Sequence, residues 1–170
     1  IQGDVEIDAG DGNDRIGYAQ WDYPLRYIKG DVEVDLGHGD DKLYSTSTQG
    51  SLVIKGDQGK DYVEVRYGVK VEIDGGIDDD TLSIYDFRDG QLLGGAGNDQ
   101  LTGTIQNKGV YTLDGGEGDD TLKIRGQNTR LEYGGNDANL KGGKGNDTIE
   151  ITDNNAGTTS GTEGNKYGIV

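Results

Sequence analysis

Seven short loops carry most of the chemistry this sequence can offer. They read AGDGND ending at Asp14, LGHGDD at Asp41, GDQGKD at Asp61, GGIDDD at Asp80, GGAGND at Asp99, GGEGDD at Asp120 and GGKGND at Asp147. The closing Asp residues are 27, 20, 19, 19, 21 and 27 positions apart. Each loop couples a carboxylate to two or three glycines. Glycine tolerates positive φ, which lets peptide carbonyls turn toward an ion. Carboxylate and carbonyl oxygens are hard ligands suited to Ca²⁺, whereas Mg²⁺ demands octahedral geometry and keeps its waters. Zinc and copper are disfavoured, because the chain has no Cys and a single His, His38.

The residues around the loops predict the elements that must hold them. Before each loop come apolar residues two apart: Val5/Ile7, Val32/Val34, Leu52/Ile54, Val71/Ile73, Gly90/Leu92, Tyr111/Leu113, and Leu131/Tyr133 or Leu140. Two positions after the closing Asp stands Ile16, Leu43, Val63, Leu82, Leu101, Leu122 or Ile149. Two further on come Tyr18, Val65, Ile84, Ile124 and Ile151, with Ser45 and Gly103 as exceptions. Period-two alternation marks strands with one buried face. A repeat of strand, loop, strand and second turn closes one flat coil, and coils stack about 4.8 Å apart in parallel sheets. The expected fold is therefore an all-β parallel β-roll, a two-sheet solenoid of seven to eight coils, with 1–152 as the coils and 153–170 as a degenerate last coil or cap. The two long steps are read as insertions, one holding Trp21 and one over 134–141. The second turns (TSTQGS, RYGVK, YDFRDGQ, IQNKGV, RGQNTR) share no ligand pattern, so only one edge carries the special loop.

Composition sets the energetic problem. Only 31% of residues are hydrophobic, mean hydropathy is -0.75, and 32 acidic residues face 16 basic ones for a formal charge of -16. Such a chain stays disordered unless something besides apolar burial stabilises it. Stacking would align the seven Asp in a column whose repulsion costs several kcal/mol at an effective dielectric of about 20. Bound cations would relieve it. No cysteine exists for a disulfide framework, and a metal is the usual replacement in a small domain. Net acidity argues against nucleic acid. No signal peptide or membrane-spanning apolar run is visible, and the start at Ile1 suggests a fragment of a longer protein, within which the expectation is a monomeric module.

GGAGNDQL, GGEGDDTL and GGKGNDTI resemble the nonapeptide repeats of the RTX (repeats-in-toxin) family, GGxGxDxUx with U apolar, a repeat known for Ca²⁺-binding β-helices. The other four loops depart from it: AGDGNDRI and LGHGDDKL lack the first glycine, Asp57 replaces the second in GDQGKDYV, and Asp78 replaces the third in GGIDDDTL. The resemblance covers the chain to about residue 151. It implies Ca²⁺ held between loops of neighbouring coils by the Asp side chain and loop carbonyls. Carried onto this sequence, the carboxylates are Asp14, Asp41, Asp61, Asp80, Asp99, Asp120 and Asp147. The candidate carbonyl donors are Gly10, Gly12, Gly37, Gly39, Gly59, Gly76, Gly95, Gly97, Gly116, Gly118, Gly143 and Gly145. With one motif per coil the expectation is a single row of about six ions, bringing -16 to roughly -4, a charge a folded domain tolerates. The resemblance further implies a secreted or cell-surface bacterial protein, a toxin or adhesin, unfolded at low Ca²⁺ and folding outside the cell.

Other readings are weaker. His38 occupies a variable loop position expected to face solvent, and no nucleophile and base can be assembled around it; no catalytic residue is proposed, and the chain is not expected to be an enzyme. The row Asp11, His38, Gln58, Ile77, Ala96, Glu117, Lys144 lacks the flat threonine repeat an ice-binding face would need. Outward positions carry Glu6, Glu33, Glu72, Asp8, Asp35, Asp74 and Asp114 on one sheet, and Thr81, Thr121, Thr148, Lys42, Lys123 and Gln100 on the other. These read first as solvated faces that prevent aggregation. The second set, with Tyr44 and Tyr62, leaves open a glycan- or surface-binding accessory role. Trp21, amid Tyr18, Tyr23 and Tyr27, reads as a cap or plug. Lys166, in GTEGNK, stands where an eighth Asp would fall and could replace a last ion with its ammonium.

Overall fold

The computed structural model describes residues 2–17, 28–105, 109–126, 137–153 and 157–161. It is all-β, with twelve strands among those residues: β1 (Val5–Asp8), β2 (Arg15–Ile16), β3 (Val32–Asp35), β4 (Lys42–Lys55), β5 (Tyr62–Ile77), β6 (Thr81–Ala96), β7 (Gln100–Ile105), β8 (Val110–Glu117), β9 (Thr121–Gly126), β10 (Asp137–Lys144), β11 (Thr148–Asp153) and β12 (Gly157–Gly161). Every pairing is parallel except β11 with β12.

The chain is a parallel β-solenoid of about four turns, fewer than the seven to eight coils expected. Residues 28–105 form its uninterrupted part; further rungs flank it as paired strands whose second turns include residues outside the described set. In β4, β5 and β6 one strand runs from loop to loop through the second turn. The register shifts there between Thr48 and Ser51, where the steps between closing Asp residues change from 20 to 19.

The alternation read from the sequence places the core. Val34, Ile54, Ile73, Leu92, Leu113 and Leu140 line up before the loops and are 0–1% exposed, facing Leu43, Val63, Leu82, Leu101, Leu122 and Ile149 after them. Burying each such side chain contributes roughly 1.5–3 kcal/mol. Leu140, paired with Leu113, is the seventh inward position; Leu131 and Tyr133 lie outside the described residues. One bulky residue needs a small neighbour: Tyr111 is fully buried, and a Cβ on Gly103 would come within 3.1 Å of its ring, while one on Gly90 would strike Ile84. Its hydroxyl donates to the Phe87 carbonyl at 3.0 Å and accepts from the Phe87 amide at 2.8 Å, so no polar group is stranded. On the outer faces, ion pairs link neighbouring rungs, as in Lys55–Glu33 (2.9 Å) and Lys141–Asp114 (2.7 Å). Beyond β11 the strand Gly157–Gly161 turns back antiparallel upon it. Trp21 with its neighbouring tyrosines, and Lys166, lie outside the described residues.

Candidate metal centre

The loops stack on one edge and align two rows of side chains. In the inner row, each closing Asp accepts, through Oδ1, the backbone N–H of its counterpart one rung earlier. The donors and acceptors run Asp14 to Asp41 (2.6 Å), Asp41 to Asp61 (2.9 Å), Asp61 to Asp80, Asp80 to Asp99 and Asp99 to Asp120 (each 2.8 Å), and Asp120 to Asp147 (3.0 Å). All seven predicted carboxylates therefore stand in one column. Asp41, Asp61, Asp80, Asp99 and Asp120 are 0–2% exposed.

The outer row, one residue earlier in each loop, is exposed and runs the opposite way. The Lys60 N–H donates to Asp40 Oδ1 (3.0 Å), Asn98 to Asp79 (2.8 Å), Asp119 to Asn98 (2.9 Å) and Asn146 to Asp119 (2.8 Å). Lys60 has no side-chain acceptor to continue this ladder; its ammonium instead meets Asp79 at 2.6 Å. Sequence reasoning gives these positions no role. The recurrence of Asn or Asp there, residues whose short side chains bond nearby backbone, was the available signal.

The inner carboxylates have one oxygen to spare. Oδ2 of Asp14, Asp41, Asp61, Asp80, Asp99 and Asp120 is buried without a hydrogen-bond partner. Burying a carboxylate without compensation disfavours its charged form. Burial accordingly pushes Asp80 up to about 8, Asp61 to about 7 and Asp99 to about 6, and raises Asp41 and Asp120 as well. In each case the backbone N–H bond to Oδ1 opposes the rise and is the weaker influence.

Each Oδ2 of the later loops faces the first glycine of its own loop. A Cβ built on Gly56, Gly75, Gly94 or Gly115 would stand within 2.5 Å of Oδ2 of Asp61, Asp80, Asp99 or Asp120. The same point lies within 2.7 Å of a carbonyl oxygen of the next rung, from Gly75, Gly94, Gly115 or Gly142 respectively. Carboxylate and carbonyl thus both pack against the glycine Cα, and a side chain there would collide with both. The paired register passes over these glycines: Asp74 pairs Leu93 and Gly76 pairs Gly95, with no pairing of Gly75 to Gly94. None of the first glycines has positive φ. Their glycine identity answers to space, and that was the signal missed in the sequence: a recurring glycine that the backbone angle does not require.

The glycines predicted as carbonyl donors have a different situation. All twelve, from Gly10 to Gly145, adopt positive φ. Their carbonyls run along the stack toward the next rung: Gly10 accepts the His38 N–H at 2.9 Å and Gly37 the Gln58 N–H at 3.2 Å. A Cβ on Gly39, Gly97 or Gly118 would strike a carbonyl of the preceding rung. Asp57 (φ 70°) and Asp78 (φ 82°) adopt the left-handed conformation of the glycines they replace, so the loop path is preserved. His38 sits on the solvent side, its ring 60% exposed and its Nδ1 3.3 Å from Asp11 Oδ1.

Among the described residues no three Asp, Glu, His or Cys side chains gather as a metal-binding group. The acids form a file, one per rung, so any cation here must draw most of its ligands from carbonyls or water. The orphaned Oδ2 atoms and the converging carbonyls fit that requirement. Compared with protein-family models, with curated proteins and with solved structures, the chain gives no significant match.

Proposed function

We propose that this chain is a structural solenoid module whose folding is driven by calcium taken up along the glycine edge. The observation that carries this reading is the file of buried, unpartnered Asp Oδ2 atoms in a chain of formal charge -16. A bound Ca²⁺ supplies the positive charge that such oxygens lack. The chain's own residues do the rest. The Oδ1–backbone bonds fix each carboxylate against the preceding rung, the first glycine lets Oδ2 and a next-rung carbonyl approach each other, and the left-handed glycines let the rungs stack closely. Because each site spans two rungs, it does not exist in the unfolded chain, and binding free energy becomes folding free energy. Nearest-neighbour contact between rungs makes that folding cooperative.

The loops' similarity to RTX repeats extends the proposal. The module belongs to a secreted or surface-exposed bacterial protein, stays unfolded at low intracellular Ca²⁺ and folds at extracellular Ca²⁺, where modules of this kind bind at about 10⁻⁴–10⁻³ M. Circular dichroism through a calcium titration, reversed with chelator, tests it: strand signal should appear with calcium and vanish on chelation. Full strand signal in chelator would overturn the reading.

One observation favours a second role. The Tyr44 and Tyr62 rings lie 5.4 Å apart, tilted by 38°, with Arg15 over the Tyr44 ring, beside the row Thr81, Gln100, Thr121, Thr148 that the register aligns on the same outer face. The half-buried Tyr62 ring and this polar row offer a surface to a glycan chain, with Tyr44 buried beside them. Binding of the calcium-loaded module to a polysaccharide panel, lost in Tyr62→Ala, separates this role from a purely structural one.

A further inference from the structure

The two ends of the solenoid differ in what covers them. On the first rung a Cβ on Gly10 or Gly12 would meet nothing within 4 Å among the described residues, whereas one on Gly37 or Gly39 would strike the carbonyl of Gly10 or Gly12. Val5, Ile7 and Ile16 are only partly buried there, while their partners Val32, Val34 and Leu43 on the next rung are 0–1% exposed. Among the described residues the inner ladder starts with Asp14 as a donor and stops with Asp147 as an acceptor. At the far end the two halves of the rung part ways. β12 runs antiparallel along the edge of β11, where a further rung would lay a parallel strand. β10 pairs β8 alone among the described residues.

We propose that the two ends are complementary surfaces: the first rung of a second copy of this chain stacks on the last rung of this one, and β12 is the cover that prevents it. Register and charge supply the fit. The column that runs from Ile7 to Val34 ends at Leu140, and the column from Asp8 to Asp35 ends at Lys141. The row from Asp11 to His38 ends at Lys144. One further step along the same register sets Ile7 of the second copy on Leu140, Asp8 on Lys141 and Asp11 on Lys144. Lys141 and Lys144 pair Asp114 and Glu117 of the rung before, yet their side chains remain 55% and 79% exposed. Each ammonium has three donors, so it can hold an acid on either side. The Asp147 N–H meets Asp14 Oδ1 of the second copy, continuing the inner ladder. Two first rungs facing each other would instead oppose acid to acid. Such a head-to-tail contact does not close on itself and grows as a filament. β12 forestalls it by taking the outer edge of β11, which leaves only half a rung for the contact. This proposal rests on rung geometry and stands apart from the calcium reading.

The test lifts β12 in the full chain with Thr158→Pro and Thr159→Pro together. Of two adjacent residues in an antiparallel strand, one points its N–H at the partner, so the pair of prolines breaks the contact whichever it is. In calcium, sedimentation velocity should find the unaltered chain as single copies at every concentration. The proline variant should keep its strand signal by circular dichroism and grow in mass with concentration. Adding Lys141→Glu and Lys144→Glu should raise the concentration needed by about tenfold, because two exposed attractive pairs become repulsive. Adding Asp8→Lys and Asp11→Lys as well should restore it. A proline variant that stays folded and single, or assembly indifferent to the lysine reversal, would overturn the proposal. Equal growth of the unaltered chain would overturn the role of β12. If the proline variant loses its strand signal, the chain shortened after Asp153 takes its place. Loss of strand signal there too would make β12 part of the fold instead of its cover, and would equally overturn the proposal.

Discussion

Two rows of acidic and amide side chains run down the same edge, one residue apart in each loop, and do the same hydrogen-bonding work in different surroundings. The outer row, exemplified by Asp79, Asn98 and Asp119, caps backbone N–H groups in contact with solvent. The inner row, exemplified by Asp80, Asp99 and Asp120, caps them in a buried file. Capping by itself therefore does not require burial or a full negative charge, since Asn98 serves as well as Asp79. What distinguishes the inner row is the second carboxylate oxygen, buried and left without a partner. Under the calcium reading proposed above, a cation pairs these six oxygens, which the cap alone leaves without a partner.

The largest expected effect tests that contrast directly. In calcium, Asp99→Ala removes a cap from the buried Asp80 N–H together with a ligand oxygen, and should destabilise by about 3 kcal/mol or more. Asn98→Ala exposes the Asp119 N–H to water and should cost about 1 kcal/mol or less. Denaturant unfolding measures both; equal losses would erase the distinction between the rows.

Asp99→Asn makes a sharper comparison because its sign should depend on calcium. The amide retains an oxygen for the Asp80 N–H and turns a donor toward the Gly115 carbonyl, while the charge is lost. Stability should fall in calcium and stay level or rise in chelator. A loss of the same size in both conditions would leave the oxygen without a cation-binding role.

Proton linkage supplies a third test, in calcium-depleted protein. The folded values of Asp80, Asp61 and Asp99, about 8, 7 and 6, lie above the 3.8 of the unfolded chain. The folded state then binds more protons between those limits, so stability falls as pH rises. The contribution is fully present below pH 3.8 and is lost by about pH 8. The metal-free chain should show more strand signal at pH 5 than at pH 8, because protonation replaces part of what calcium supplies. Because protons and cations compete for the same oxygen, calcium affinity should fall over the same acidification.

The smallest effect concerns the loop backbone. Asp78→Gly relieves a left-handed non-glycine residue and should stabilise by about 0.5–1 kcal/mol in calcium. Asp78→Ala keeps the strain without the aspartate side chain that tolerates it. It should destabilise by about 1 kcal/mol, well short of Asp99→Ala. Thermal melts of the three variants set that order.

Much of the solenoid was legible in the sequence because its signals are local and repeated. Period-two alternation around each loop, as in Val71/Ile73 and Val63/Val65, fixes which side chains turn inward, and the recurrence near twenty residues fixes that equivalent strands stack. The twelve positive-φ glycines were legible for the same reason: a turn angle is a property of one residue. The insertions were not, because a change in repeat length does not say which flank keeps register; only pairing with Leu113 selects Leu140.

Sequence alone determined the parallel all-β repeat, the one special edge and the alignment of Asp14 through Asp147. Tertiary structure decided how each carboxylate divides its two oxygens, one to the backbone of the preceding rung and one toward the first glycine and the carbonyl of the following rung. The reason is physical. Dihedral preference and hydrophobic period are carried by a residue and its near neighbours, whereas the approach of two oxygens 14 to 22 residues apart depends on the stacking of one rung upon the next.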